Sequence, residues 1–395
     1  MKCNLCLKNK SFEFLDLGKQ PMANKYPKKE EFKNERFFRV KVFFCSNCKN
    51  IQLGKLVSRH EMFEDYYYLS SVNKALVEHY TKFAKTLKDA KFVVDIGSND
   101  GISLKPLKEM GVKCLGIDPS VNVGKIANEA GFETIVDFFT AESAAKIVKD
   151  YGKADVITGL SMFSHLQDQH QFIEDVKTLL TDDGKFIVEV EYNVSMLKNM
   201  SFERFYLDRL FYFSVTSFKK LFEMHGMYLD DVEITKIHGG SFRVTAKKGK
   251  GKESVKIKQL LAEERNYLTP KKVKQFGLEA KAQVIAFLKQ LQEYKKQGLR
   301  IAGYGCPART ATITNFGDID TNLIDFIVDD SPLKQGRHSP GKHIPIVSNT
   351  YLQTYPQKDI PTVLVMFAYD YFEDIKKKLT GNYRFLFPIP PREVK

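Results

Sequence analysis

Asp95-Ile96-Gly97-Ser98-Asn99-Asp100-Gly101 follows directly on the apolar run Phe92-Val93-Val94, and Asp118 stands seventeen residues beyond Gly101. A short apolar run of this kind reads as a buried parallel strand. The two glycines let the backbone turn tightly and approach a ligand, and residues 102–110 read as the helix that opens there. Cys114-Leu115-Gly116-Ile117 is a second apolar strand ending on Asp118, where an acid in such a fold accepts hydrogen bonds from two ribose hydroxyls. The layout therefore predicts an open α/β domain with a nucleotide-like ligand at the strand-to-helix turn. The loop is Asp-x-Gly-x-x-x-Gly, not Gly-x-Gly-x-x-Gly, so Asp95 puts negative charge where a dinucleotide pyrophosphate needs amide donors. Pyrophosphate is disfavoured at this loop and a cationic ligand is not.

The chain has 395 residues, enough for two or three domains with their own cores, and its 43% hydrophobic and 28% charged content is that of a soluble globular protein. Apolar runs are strand-sized and Met1-Lys2-Cys3 leads straight into a cysteine motif, so neither a signal peptide nor a membrane span is expected, and a cytoplasmic location is. The net charge of +13 is spread along the chain. Its densest cluster, Lys247-Lys248-Gly249-Lys250-Gly251-Lys252, reads as a solvated linker or hairpin that still attracts an anionic substrate.

Four of the six cysteines form two pairs, Cys3-Asn4-Leu5-Cys6 and Cys45-Ser46-Asn47-Cys48. Each turn can aim two thiolates at one cation, so together they suit one tetrahedral zinc with no open position, a structural metal. Residues 37–44 enter the second pair as a strand and Gln52-Leu53 leave it, the hairpin setting of a zinc knuckle. Cys114 and Cys306 read as ordinary residues.

Three blocks follow: residues 1–70, the cysteine module; 71–250, alternating strands and helices around the glycine loop; and 251–395, where a long amphipathic helical stretch over 260–297, interrupted at Thr269-Pro270, leads into a second open α/β unit. That unit has a glycine loop of its own, Gly303-Tyr304-Gly305-Cys306-Pro307-Ala308-Arg309, and predicted strands over 299–305, 324–330 and 361–367. Its amides and Arg309 either bind an anion or belong to a half that only packs against the middle domain.

The first loop resembles motif I of the class I S-adenosylmethionine-dependent methyltransferases, with Asp118-Pro119 as the acid ending their second strand. Adenosylmethionine has no phosphates and carries an ammonium that a carboxylate can hold, in keeping with Asp95. The whole chain resembles the zinc-containing sugar C-methyltransferases acting on nucleotide-linked deoxy keto-sugars. The resemblance rests on the paired Cys-x-x-Cys, Tyr66-Tyr67-Tyr68-Leu69-Ser70-Ser71, Ser164-His165, His238-Gly239-Gly240-Ser241-Phe242-Arg243, the second glycine loop with Val328-Asp329-Asp330, and Gly336-Arg337-His338-Ser339-Pro340-Gly341. It implies a class I methyltransferase Rossmann-like domain between an N-terminal zinc module held by Cys3, Cys6, Cys45 and Cys48 and a C-terminal Rossmann-like domain. The cofactor is expected at Asp95, Gly97, Ser98, Asn99, Gly101, Asp118, Pro119 and Ser161, and the substrate at His238, Ser241, Tyr304 and Arg309. In such enzymes a base removes the proton next to a ketone, and the enolate carbon attacks the cofactor's methyl; the resemblance places Tyr68, His165 and Tyr206 around the reacting sugar.

One position departs. Where the family reads Tyr-x-Glu-His, this chain reads Tyr206-Leu207-Asp208-Arg209. Arginine stays protonated at any working pH and cannot take a proton, whereas it can stabilise an oxyanion or hold a phosphate. The base is then His165, just after the fourth strand, or Asp208 if burial raises its pKa, with His238 a third choice. O- or N-methylation of a sugar nucleotide, an RNA methyltransferase and a non-catalytic sugar-nucleotide or cofactor-binding protein are the alternatives. No basic stripe interleaved with aromatics points to nucleic acid, and nothing in the sequence sets the oligomeric state.

Overall fold

A computed structural model describes residues 1–54, 69–354 and 362–394. Three sheets organise them. The first begins with β1 (Ser11–Pro21), β2 (Phe37–Cys45) and β3 (Ile51–Leu53), antiparallel neighbours in that order. The alternation in β2 puts Phe38, Val40, Val42 and Phe44 on the buried face, with Arg39 and Lys41 outside pairing with Asp16 and Glu13.

The second sheet starts with β4 (Phe92–Ile96), β5 (Lys113–Asp118), β6 (Thr134–Val136), β7 (Ala154–Leu160) and β8 (Leu180–Glu191), all parallel. Chain order then reaches β9 (Phe211–Tyr212), which leaves this domain and pairs with β3, so the first sheet is completed by residues of the middle domain. β10 (Met227–Thr235) and β11 (Ser241–Lys248) return antiparallel onto β8, giving the order β10-β11-β8-β7-β4-β5-β6. The chain steps outward from β4 to β5 and β6, then crosses back to β7. That reversal opens a crevice at the carboxyl ends of β4 and β7, where open α/β sheets bind ligands.

After helices Val255–Tyr267 and Pro270–Lys296, which Thr269 separates as N-cap, the third sheet holds β12 (Arg300–Tyr304), β13 (Ile327–Val328), β14 (Ile346–Val347), β15 (Thr362–Met366), β16 (Tyr383–Pro388) and β17 (Pro391–Val394). Its order is β14-β13-β12-β15-β16-β17, parallel except for β17, with the same reversal beside β12.

Two expectations change. The strand predicted over 324–330 contracts to Ile327–Val328: the Ile324 amide closes a turn onto the Asp320 carbonyl, and Asp325 already bonds to Ile301 of β12 ahead of the paired residues. The lysine run is only partly linker: Lys247 and Lys248 end β11, where they pair with Asp230 and Asp182.

One apolar core runs through all three blocks, from Leu15 and Phe44 through Phe163, Phe186 and Phe218 to Phe276 and Phe287. Gly277 shows how closely they approach, since a Cβ there would lie 2.0 Å from the Phe14 carbonyl oxygen of β1. Among the described residues no helix is long and apolar enough to cross a membrane.

Candidate active site

The two cysteine turns are built alike. In each, the first cysteine's carbonyl accepts from the amide four residues on (Leu7, Lys49), and its own amide donates to the carbonyl five residues on (Lys8, Asn50). Leu7 and Lys49 both take positive φ, 59° and 62°, which curls the amide-rich turn around the thiols. Cys3, Cys6, Cys45 and Cys48 are buried, with ligand atoms all within 4.8 Å of one another. The Cys3 to Cys48 and Cys6 to Cys45 sulfur separations are 3.7 Å. A tetrahedral shell with Zn–S bonds of about 2.3 Å has edges of about 3.8 Å, so the four thiols fit zinc as they stand.

At the end of β4, Gly97 donates to the Ile117 carbonyl and turns the chain at φ 75°. Asp118 organises the loop: Oδ2 accepts from the Asn99 amide and Oδ1 from the Ser120 amide, both at 2.9 Å. The Ser120 side chain is a further donor to this carboxylate. Burial pushes the Asp118 carboxyl above the usual range, against the pull of those donors. Asp95 is different. Its carboxylate already accepts from Ser103 and Thr158 hydroxyls, and burial pushes it up to about 6. The Ser98 hydroxyl is buried without a partner among the described residues. With the Asp118 carboxylate and the apolar walls Leu160, Met162 and Phe139, this orphan makes a cradle that fits an adenosine-bearing cofactor. Asp95, Gly97, Ser98, Asn99, Asp118, Pro119 and Ser161 all line the cavity here; Gly101 does not, and its missing Cβ makes room for Phe132.

His165 closes the turn Phe163–His165 that follows β7. Its Nδ1 donates to the Asp208 carbonyl, and the Ser161 backbone is a further polar neighbour. Burial, then the Arg209 guanidinium, push the imidazole down to about 4. Asp208 thus meets His165 through its backbone; its buried carboxyl, raised by burial, accepts from Asn24 and does not line the cavity. Tyr206, His165, Arg209 and His238 do line it. Burial pushes the Tyr206 phenol up to about 12, and burial with Arg209 brings His238 down to about 4. Asn99, Ser161 and His238 hold φ of 51°, 60° and 50° without being glycine, strain of the kind that gathers at functional sites.

The cavity, about 730 Å³, is continuous from the loop of β4 to Tyr26 of the first module and to Pro307, Ala308, Arg309 and Lys334 of the third. Arg209 forms an ion pair with Glu191, the last residue of β8, whose other oxygen accepts from Arg204 at 2.8 Å. Although burial opposes it, Arg209 and Arg204 hold Glu191 down to about 2. Of the other expected residues, Arg309 lies in the cavity wall, while Ser241 and Tyr304 are buried away from it, bonded to the Ile237 carbonyl and to Asp330. Tyr68 falls outside the described residues. Glu191, Arg204 and Asp370 were not anticipated. Their signal was there in charged residues set inside apolar runs, Val188-Glu189-Val190-Glu191 and Phe202-Glu203-Arg204-Phe205; a buried charge needs a partner or a ligand.

Family models match three parts of the chain: a zinc binding domain over residues 3–63, a methyltransferase domain over 68–232, and a C-methyltransferase C-terminal domain over 236–390. C-methyltransferase NovU of Streptomyces niveus is 30% identical over 408 residues, covering 100% of this chain and 96% of that protein. A ubiquinone biosynthesis O-methyltransferase of Azorhizobium caulinodans is 28% identical over 123 residues, 30% of this chain and 49% of the relative. Among solved structures, magnesium protoporphyrin IX methyltransferase from Synechocystis PCC 6803 with bound SAM covers 44% of this chain and 79% of its own, at 14% identity and a TM-score of 0.34.

Proposed function

The chain belongs to the C-methyltransferase family, and from that premise we propose that it methylates the carbon next to the ketone of a nucleotide-linked keto-sugar, by way of an enolate. The observation that carries this reading is the single cavity whose walls hold both the Asp118 loop and the set His165, Tyr206 and Arg209. S-adenosylmethionine, held by Asp118, Ser98 and the turn at Gly97, supplies an electrophilic methyl group when bound.

The ring donates Nδ1–H to the Asp208 carbonyl, and an imidazole brought down to about 4 is unprotonated at neutral pH. His165 takes the proton from the carbon beside the ketone, and the C–H electron pair passes into the enolate. So weak a base needs an acidified substrate. The Tyr206 hydroxyl, protonated because burial lifts it to about 12, donates to the developing oxyanion, and the Arg209 cation lies beside it. Arg209 thereby acts as an electrostatic stabiliser where a proton acceptor was expected, and Glu191 fixes its guanidinium.

Labelled S-adenosylmethionine with a panel of keto-sugar nucleotides should give a carbon-bound methyl by NMR. Label on RNA, or on an oxygen or nitrogen of the sugar, would replace this reading. Without cofactor, deuterium uptake next to the ketone should fall roughly 10²- to 10⁴-fold in His165→Asn. Wild-type exchange in that variant would remove His165 as the base.

A further inference from the structure

Across Glu191 from Arg209 the cavity wall carries a second group of buried charges, drawn from two domains. Arg204 in the turn Phe202–Arg204 and Arg309 in helix Ala308–Phe316 both donate to Oδ2 of Asp370, at 2.8 and 2.5 Å. Both residues line the cavity and are more than nine-tenths buried, at 5% and 8% exposure. Neither guanidinium is fully used. Arg309 Nη1 has no hydrogen-bond partner among the described residues, and Arg204 Nε has none either, its nearest acid being Glu203 at 3.8 Å.

Asp370 is locked in place by its neighbours. The Tyr369 hydroxyl donates to Glu203 and lies under Arg309, whose Cζ is 4.4 Å from the ring centre. The Tyr371 hydroxyl accepts from Asn73 Nδ2 at 2.6 Å. Arg204, Arg209, Arg309 and Lys334 bring four positive charges to this side, and their ion-pair partners Glu191, Glu203, Asp370 and Asp329 bring four acids. Glu203, which burial raises, is hydrogen-bonded to Tyr369. The charges are matched, so what this wall offers an anion is its unused N–H groups, which sit on planar forks that match phosphate oxygens.

Resting on the reading that the acceptor is nucleotide-linked, we propose that Arg309 and Arg204 form the subsite for its diphosphate and that Asp370 is the specificity-determining residue of that subsite. Asp370 uses one N–H of each guanidinium and aims both forks. A multiply charged anion gains the remaining N–H groups, whereas a single carboxylate offers the pair nothing that Asp370 does not already supply.

Inorganic pyrophosphate is the probe, added to the full-length zinc-loaded protein, with Tm and inhibition of methyl transfer as readouts. Pyrophosphate should raise the wild-type Tm and compete with a nucleotide sugar. Arg309→Gln should weaken it about tenfold or more, and Arg309→Lys, which keeps the charge and loses the fork, by less. Asp370→Asn should lower the Tm of the free protein and bind pyrophosphate about tenfold more tightly, recovering the lost Tm. Equal pyrophosphate affinity in wild type and Arg309→Lys, or no tightening in Asp370→Asn, overturns the subsite. The two readings fail separately. Pyrophosphate binding as stated without methylation of any nucleotide sugar removes the sugar reading alone; methylation with an unchanged KM in the Arg309 variants removes the subsite alone.

Discussion

The molecule contains two glycine loops of the same grammar that meet one cavity differently, the first through its turn and the second through the start of its helix. At residues 95–101 and again at 303–309 a buried strand runs into a glycine with positive φ whose amide donates to the neighbouring strand's carbonyl, Gly97 to Ile117 and Gly305 to Val328. Each loop is then fixed by the acid ending the next strand. Asp118 accepts from Asn99 and Ser120, and Asp329 accepts from Cys306 and Ser331. The difference lies in what fills the turn. In the first, the helix starts only at Leu104, and seven residues of loop and strand end line the cavity. In the second, the helix starts at Ala308, Lys334 lies against both Asp329 and the Cys306 carbonyl, and Ala368 occupies the space beside Gly305. Lys334 and the Ala368 methyl thus crowd the second turn, while the first turn stays open to the cavity. What remains for function is the outer wall, Arg309.

The largest test of this contrast is the pair of acids. Asp118→Asn should weaken cofactor binding by calorimetry by about 2–4 kcal/mol, the loss of charge-assisted bonding to its hydroxyls. Asp329→Asn should leave cofactor affinity within about twofold and lower Tm instead. Equal losses of cofactor affinity would mean that the second loop also holds a ligand.

The glycines come next. Alanine at Gly305 forces an L-residue into φ 79° with its Cβ 2.4 Å from that of Ala368 and 3.1 Å from the Ala368 amide nitrogen, so about 2–4 kcal/mol of stability should be lost in denaturant unfolding. At Gly97 the neighbours are Met162 Cβ and Cγ, 2.8 and 2.9 Å away at the root of that side chain, so a similar loss of about 2–4 kcal/mol is expected, here together with weaker cofactor binding. Equal weakening of cofactor binding by the two substitutions would break the comparison.

The smallest effect is on pH dependence and belongs to the open side alone. His165 must be neutral to accept a proton, so its contribution is present above its pKa and lost as pH falls through about 4. Arg209→Gln removes the neighbouring cation that helps hold it there, so the acid limb of kcat/KM should move upward toward 6.5, while Arg309→Gln leaves that limb in place. An unmoved limb in Arg209→Gln would separate the two residues.

Much of this could be read along the chain, for reasons that are local. Cys-x-x-Cys brings two thiols together by its own turn, and both turns close through hydrogen bonds within six residues. Strand β4, its glycine turn and Asp118 lie within a single strand-helix-strand unit, so their spacing already encodes their meeting. The fold class followed from this alternation. Asp208 and Tyr304 show the limit. Both stand in motifs that suggested a ligand, yet Asp208 turns its carboxyl to Asn24, 184 residues away, and Tyr304 points to Asp330. Which way a side chain leaves the backbone depends on the packing around it, and sequence spacing does not carry that.

The sequence alone determined three modules, a four-thiol metal shell and an open strand-to-helix turn at the first loop, because each depends on residues brought together by one or two short elements. Only the tertiary structure decided that Tyr26, His165, Arg209 and Arg309 share one cavity, and that Glu191 and Asp370 hold three guanidiniums beside it. Those charges come from β8, the turn Phe202–Arg204 with residue 209, and the third sheet's loops, and they are stable inside only as partners. Burial makes that pairing obligatory, and it is the folded arrangement of all three modules that creates the burial.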